Sequence, residues 1–222
     1  PEPEPEPEPE FPQPEPEPEP ELLSYPFSSE TELINAFSLY SNDSTKDQAI
    51  ETYGYLAYWD LSGITVIDNL FEDSKFTFTG KYEDISSWNL SNVTSMNSTF
   101  SSTAVLNYLP TDIFKKWDTS KVENMRRCFR GYYSTPDLTV NLESVQYLNT
   151  SSCKDMFQMF ENSTLYNSSV SPQEQNLNLS TKVVNEGLSN EYIAWDVSNV
   201  TEMSYMFSPQ QQLNVPYPFL IE

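Results

Sequence analysis

The chain has no histidine, five glycines, two cysteines and eleven basic residues in 222, and each shortage removes a class of chemistry. Without histidine there is no Ser-His-Asp or Cys-His nucleophile, no imidazole acid–base pair and no histidine-ligated metal. Gly54, Gly63, Gly80, Gly131 and Gly187 are scattered, whereas phosphate-cradling loops and dinucleotide fingerprints need glycines closely spaced between strand and helix. No stretch approaches the roughly eighteen apolar residues that span a bilayer. The 33 acidic residues leave a net charge of -22 and a pI near 4.1, a field that repels a nucleic-acid backbone and an anionic leaflet alike. The sequence therefore predicts no cofactor, no metal, no nucleic-acid partner and no membrane insertion. It opens at a proline without an apolar signal core, which reads as a mature secreted chain or as a fragment.

What is abundant is proline, and it is concentrated. Residues 1–21 alternate Pro and Glu, broken once at Phe11-Pro12-Gln13, and hold ten of the seventeen prolines and nine of the 33 acids. The remaining 24 acidic and 11 basic residues still give the body -13. Proline fixes its own φ and drives the residue before it out of the helical region, so the alternation predicts a polyproline II arm of about 3.1 Å per residue, roughly 65 Å long. Phe11, the apolar break, is the expected anchor.

A thirteen-residue phrase recurs five times: Trp59 to Phe71, Trp88 to Phe100, Trp117 to Phe129, Leu148 to Phe160 and Trp195 to Phe207. All four tryptophans open a copy, serine is fourth in every copy (Ser62, Ser91, Ser120, Ser151, Ser198) and phenylalanine closes each one. Start-to-start spacings are 29, 29, 31 and 47 residues. An apolar residue stands three before the opening position: Leu56, Ile85, Phe114, Val145 and, in the last copy, Tyr192. Serine four reads as an N-cap, and apolar residues at positions 6, 9, 12 and 13 read as the stripe of a short helix. Segments such as Asp84 to Trp88 read as short strands before a bend. No unit buries its own face, so the pattern predicts five strand-turn-helix coils stacked on one core with tryptophan and phenylalanine ladders.

These residues resemble the BspA-like leucine-rich-repeat surface proteins, in the variant whose units read W-D-x-S-x-V-T-x-M-x-x-M-F after D-I-S-x-W. Asp84 to Phe100 and Trp195 to Phe207 carry the likeness most closely, and Leu148 and Cys153 depart from it in the fourth copy. The resemblance implies a right-handed leucine-rich-type solenoid on a cell-surface or secreted protein, and brings no catalytic residue with it. Ahead of the array, Ser28-Ser29-Glu30-Thr31-Glu32 is an acidic, serine-led helix start, with Leu33, Ile34, Phe37 and Tyr40 as its apolar stripe. The expected organisation is an arm at 1–21, a cap region at 22–58, the solenoid at 59–207 with an insertion at 161–191, and an extended C-terminal arm at 208–222.

Nine N-x-S/T sequons occur, at Asn42, Asn89, Asn92, Asn97, Asn149, Asn162, Asn167, Asn178 and Asn199. In a secreted chain these accept glycans where exposed. The expected acceptors are Asn42, Asn92, Asn97, Asn162, Asn167, Asn178 and Asn199, whereas Asn89 and Asn149 occupy the second position of the phrase, where a turn hydrogen bond is the better reading. Cys128 and Cys153 fall on apolar positions and read either as two buried thiols or as a disulfide. Six of the eleven basic residues, Lys115, Lys116, Lys121, Arg126, Arg127 and Arg130, lie within sixteen positions and form the expected groove for the acidic arm of a neighbouring copy. The function expected is non-enzymatic: an extracellular structural glycoprotein that assembles with identical subunits, into a fibre if the head-to-tail contact does not close. The alternative is a cell-surface adhesion module whose solenoid face recognises a glycan or protein.

Overall fold

The structure is a computed structural model that describes residues 24–131, 139–166 and 181–208. The Pro-Glu arm with Phe11, the part of the insertion with Asn167 and Asn178, and the C-terminal segment 209–222 lie outside the described residues.

At the N-terminal end, strand β1 (Tyr25–Pro26) leads to helix α1 (Glu30–Tyr40). Ser29 has extended backbone and its hydroxyl accepts the Glu32 amide at 3.3 Å, while the Glu32 carboxylate accepts the Ser28 amide at 3.2 Å. That reciprocal pairing satisfies amides left free at a helix start. Leu33, Ala36, Phe37 and Tyr40 are buried from one face of α1. Helix α2 (Lys46–Tyr53) follows, and strand β2 (Trp59–Asp60) pairs in parallel with β1.

The recurrent phrase is not a helix. In every copy the side-chain oxygen at position 2 accepts the amide of the fourth-position serine: Asp60–Ser62 at 2.8 Å, Asn89–Ser91 at 3.1 Å, Asp118–Ser120 at 3.0 Å, Asn149–Ser151 at 3.2 Å and Asp196–Ser198 at 3.0 Å. The serine is the donor end of an Asx turn, not an N-cap. Position 8 then forms one parallel bridge to the next coil, through Val66, Ser95, Asn124, Asp155 and Glu202 in succession.

From position 9 onward the backbone divides its amides. Positions 9, 11 and 13 donate to carbonyls at positions 8, 10 and 12 of the following coil, as in Met96 to Asn124 (2.9 Å), Ser98 to Arg126 (2.9 Å) and Phe100 to Cys128 (2.8 Å). Position 12 donates back within its own coil, as Thr99 does to Met96 at 3.3 Å. Of the two central residues in that turn only the second, position 11, has positive φ, the order a type II turn requires. Asn69, Ser98, Arg127, Gln158 and Tyr205 all lie there, with φ between 54° and 59°. A helix would keep its bonds within the segment. Here alternate amides are handed to a neighbour, so only a stack satisfies them.

The segments ahead of the phrase also differ from the strands expected. Leu56–Tyr58 and Ile85–Ser87 are 3-10 turns, and α3 (Ile113–Lys116) and α4 (Leu142–Val145) are single helical turns. Asp84 accepts the Ser86 amide at 2.9 Å, which bends the chain early. Strand β3 (Thr139–Asn141) pairs in parallel with β4 (Thr164–Tyr166), and β5 (Lys182–Val184) pairs antiparallel with β6 (Tyr192–Ala194).

Two aromatic columns fill the interior. The rings of Trp59, Trp88 and Trp117 stack at 6.2 and 6.4 Å, within 9° of parallel. Phe71, Phe100, Phe129, Phe160 and Phe207 follow one another at 5.3 to 5.6 Å. Three of the four indole N–H groups also reach the carbonyl of the apolar residue that precedes the previous coil, Trp88 to Leu56 (2.9 Å), Trp117 to Ile85 (3.0 Å) and Trp195 to Val145 (2.9 Å), while Trp59 of the first coil donates to Gly54 O at 3.2 Å. Leu148 has no such donor, and the Tyr192 hydroxyl approaches the Phe114 carbonyl in its place at 3.4 Å while donating to Tyr147 O at 2.5 Å. At position 15 of the third coil, a Cβ on Gly131 would stand 2.1 Å from the Asn162 carbonyl oxygen, so only glycine fits.

Candidate functional site

One flank of the ladder carries positions 8, 10 and 11, and its character changes along the stack. In the first coils it is a polar network: Asp68 accepts from the Ser95 hydroxyl at 2.6 Å and the Asn97 amide at 2.8 Å, and Asn124 Nδ2 donates to Ser95 Oγ at 3.1 Å. Towards the last coils it becomes aromatic and cationic. The Arg126 guanidinium lies 3.9 Å from the Phe157 ring centroid and 3.7 Å from Asp155, and Tyr205 meets Phe157 edge-on at 5.8 Å. Tyr205 is 63 % exposed. Exposed tyrosine beside arginine is a composition suited to contact with another molecule.

The six basic residues expected to form one groove fall into separate settings. Lys121 turns back to Asn92 Oδ1 at 2.9 Å. Arg126, Arg127 and Arg130 point along the ladder to Asp155, to Gln158 Oε1 (2.8 Å) and to Glu161 (2.7 Å) of the fourth coil. Lys116 pairs with Asp112 at 3.2 Å, and Lys115 lies 5.8 Å from the Tyr147 ring. Arg126 and Arg130 meet carboxylates of the fourth coil and Lys116 one in its own segment, while Lys121 and Arg127 reach neutral amides, so the six side chains are turned to different partners along the ladder.

The described sequons also separate. Asn42 is exposed, with its amide oxygen held by the Ser44 amide at 3.0 Å. Asn92 and Asn199 are exposed, but the nitrogen a glycan would occupy donates to Ser62 O (2.9 Å) and Ser151 O (2.7 Å) of the preceding coil. Asn97 is half-buried. Asn162 Nδ2 is buried with no partner among the described residues, which argues against its expected role as an acceptor in the folded chain. Cys128 and Cys153 are unbridged and buried. Burial pushes the Cys128 thiol well up and the Cys153 thiol to about 12, so neither is a ready nucleophile.

A cavity of about 740 Å³ lies beside the N-terminal helices, lined by residues that include Phe37, Lys46, Glu72, Phe76 and Glu83. Glu83, with its side chain 5 % exposed, accepts from Lys46 Nζ at 2.5 Å and from the Gly80 amide at 2.6 Å. The ammonium lies over the Tyr40 and Phe76 rings at 5.1 and 5.3 Å. No sequence signal points to this pair, because its members are 37 positions apart and belong to no repeat. Burial and the neighbouring Asp73 carboxylate hold Glu72 above the usual carboxyl range. Among the described residues no group of three or more Cys, Asp or Glu side chains is placed to hold a metal ion, and no helix is long and apolar enough to cross a membrane.

Residues 31–172 and 175–217 match the protein family described as "Mycoplasma protein of unknown function, DUF285". No curated protein and no solved structure matches the chain.

Proposed function

This chain belongs to the DUF285 family, and from that premise we propose that it is a leucine-rich-type solenoid of the BspA-like kind, serving as an extracellular structural subunit that assembles with copies of itself. The observation that carries the reading is the ladder. Five coils are joined by one repeating set of bridges and a five-ring phenylalanine column, with a tryptophan column through the first three, an arrangement whose polar groups are committed to holding coils in register. Such a body is a rigid spacer. The family match begins at residue 31, so the Pro-Glu arm lies outside the matched region. An extended proline arm has little conformational entropy left to lose on docking, which suits it to joining subunits. Light scattering and negative-stain microscopy of residues 1–222 and 22–222 test this: the full chain forms oligomers or fibres and the truncated chain is a folded monomer. A full chain that stays monomeric at high concentration removes the proposal.

A second reading, an adhesion module, draws on the flank of Arg126, Phe157 and the exposed Tyr205. A glycan and surface-protein array probed with the parent and with Tyr205→Ala separates the two: binding lost in the variant favours recognition, and no binding by either favours the structural role.

A further inference from the structure

Nothing in the ladder calls for the cavity beside the N-terminal helices. Its volume of about 740 Å³ lies within the roughly 300–1,000 Å³ of small-ligand sites. Helix α1 contributes Phe37 to its wall, α2 opens with Lys46, and the return segment of the first coil, residues 72–83, brings Glu72, Asp73, Phe76 and Glu83.

That return segment has neither helix nor strand, yet side chains fix its course. Ser74 Oγ accepts the Phe76 amide at 3.2 Å, and Phe78, with φ 48°, is held by the rings of Phe76, Phe71 and Phe37 at 4.8, 5.8 and 6.4 Å. The Glu83 carboxylate is gripped between the Gly80 amide and Lys46 Nζ. A Cβ on Gly80 would stand 2.6 Å from its carboxyl carbon and displace it. Walls fixed in this way lose little entropy on binding. The buried pair is also a poor device for stability alone, because removing two charges from water costs about as much as their attraction returns. At a cavity wall it has another use. The Lys46 side chain stays 31 % exposed, and its ammonium has further N–H groups besides the one given to Glu83.

The charges select the class of ligand. Carboxylates of Asp43, Glu72, Asp73 and Glu83 outnumber the ammonium groups of Lys46 and Lys75 in the lining, so an anion is repelled. A cation meets Lys46, whose ammonium already lies over the Tyr40 and Phe76 rings at 5.1 and 5.3 Å. An apolar ligand would strip water from these charges without replacing its hydrogen bonds. A neutral polyol meets every requirement, because a hydroxyl donates to a carboxylate and accepts from an ammonium. Burial and the adjacent Asp73 hold the Glu72 carboxyl above its ordinary value, and hydroxyl donors would relieve it. Half-buried Phe76 adds a ring whose negative face suits the C–H groups of a sugar.

We propose that this cavity binds a neutral saccharide, with Lys46, Glu72 and Asp73 bonding its hydroxyls and Phe76 carrying one face of a sugar ring. The site rests neither on arm-mediated assembly nor on the Tyr205 flank, and it stands or falls apart from both.

An array of neutral, sialylated and sulfated glycans, followed by calorimetric titration of the best neutral one, tests it on the full chain. The protein is produced without N-glycans, because the Asn42 sequon lies between the lining residues Ser41 and Asp43. The parent binds neutral glycans in preference to anionic ones. A Glu72→Ala, Asp73→Asn double variant binds at least tenfold more weakly at an unchanged melting temperature, since asparagine tolerates the left-handed backbone of Asp73 (φ 55°). Tyr205→Ala binds as the parent does. Should the double variant not fold, amide chemical shifts of the parent decide: movement at residues 72–80 on adding the glycan supports the proposal, and movement elsewhere alone ends it. An array on which no neutral glycan is bound, binding confined to anionic glycans, or binding lost in Tyr205→Ala but kept in the double variant each overturns it.

Discussion

Replacing Trp88 by phenylalanine isolates one bond of the indole column. Trp88 is 3 % exposed, stacks between Trp59 and Trp117, and donates to the carbonyl of fully buried Leu56 at 2.9 Å. Phenylalanine keeps most of the ring contact but leaves that carbonyl unpaired, at a cost of about 1–3 kcal/mol. The smaller ring adds a modest cavity, so the expected loss is about 2–3 kcal/mol for Trp88→Phe and about 4–5 kcal/mol for Trp88→Ala. Against a total stability of about 5–15 kcal/mol, the alanine variant is left marginal and the phenylalanine variant folded. Urea unfolding followed by near-ultraviolet circular dichroism reads both, provided the slope with denaturant stays that of the parent. A phenylalanine variant within about 0.5 kcal/mol of the parent would show that the indole bond contributes little net stability. Equal losses for both variants would show that ring volume is not what the column needs.

Tyr192→Phe removes the hydroxyl that substitutes for the missing indole of the fourth coil; urea unfolding is expected to show a loss of about 1–2 kcal/mol. At position 11 of the first coil, exposed Asn69 has φ 59°; Asn69→Val lowers stability by about 1–2 kcal/mol because a β-branched side chain clashes in the left-handed region, while Asn69→Gly stays within about 0.5 kcal/mol of the parent. The Ser62 and Ser198 amides hold the Asp60 and Asp196 carboxyls below their ordinary value of 3.8. Their stabilisation is full above that value and falls away as pH drops through the lower folded pKa. A double Asp60→Asn, Asp196→Asn variant keeps the turn acceptor, as Asn89 and Asn149 do, and its melting temperature falls less steeply below about pH 4 than the parent's; identical slopes would refute the assignment.

The phrase made the repeat legible, and its individual letters predicted much of the interior. Tryptophan and phenylalanine columns, the turn at Asn89 and Asn149, and the Ser29 helix start were readable because each depends on side-chain type at a fixed offset. The local backbone was misread as helix because inward-facing residues at 6, 9 and 12 fit a helical face as well as they fit successive turns. The distinguishing signals were weak but present: a strict step of three instead of 3.6, and a position 11 that is never β-branched. The setting of the six basic residues was not readable for another reason. Proximity in sequence says nothing about which way a side chain turns, and Arg127 and Arg130 turn to partners 31 residues on.

The step from the fourth coil to the fifth is 47 residues instead of 29, yet Asp155 bridges Glu202 and Phe160 lies 5.6 Å from Phe207, as in the shorter steps. Pitch is thus set by the thirteen-residue phrase alone, and the return path of a coil behaves as slack. A longer return path leaves the spacing of the rings unaltered, which makes the thirteen-residue phrase, and not the full length of a coil, the unit of measure in this body.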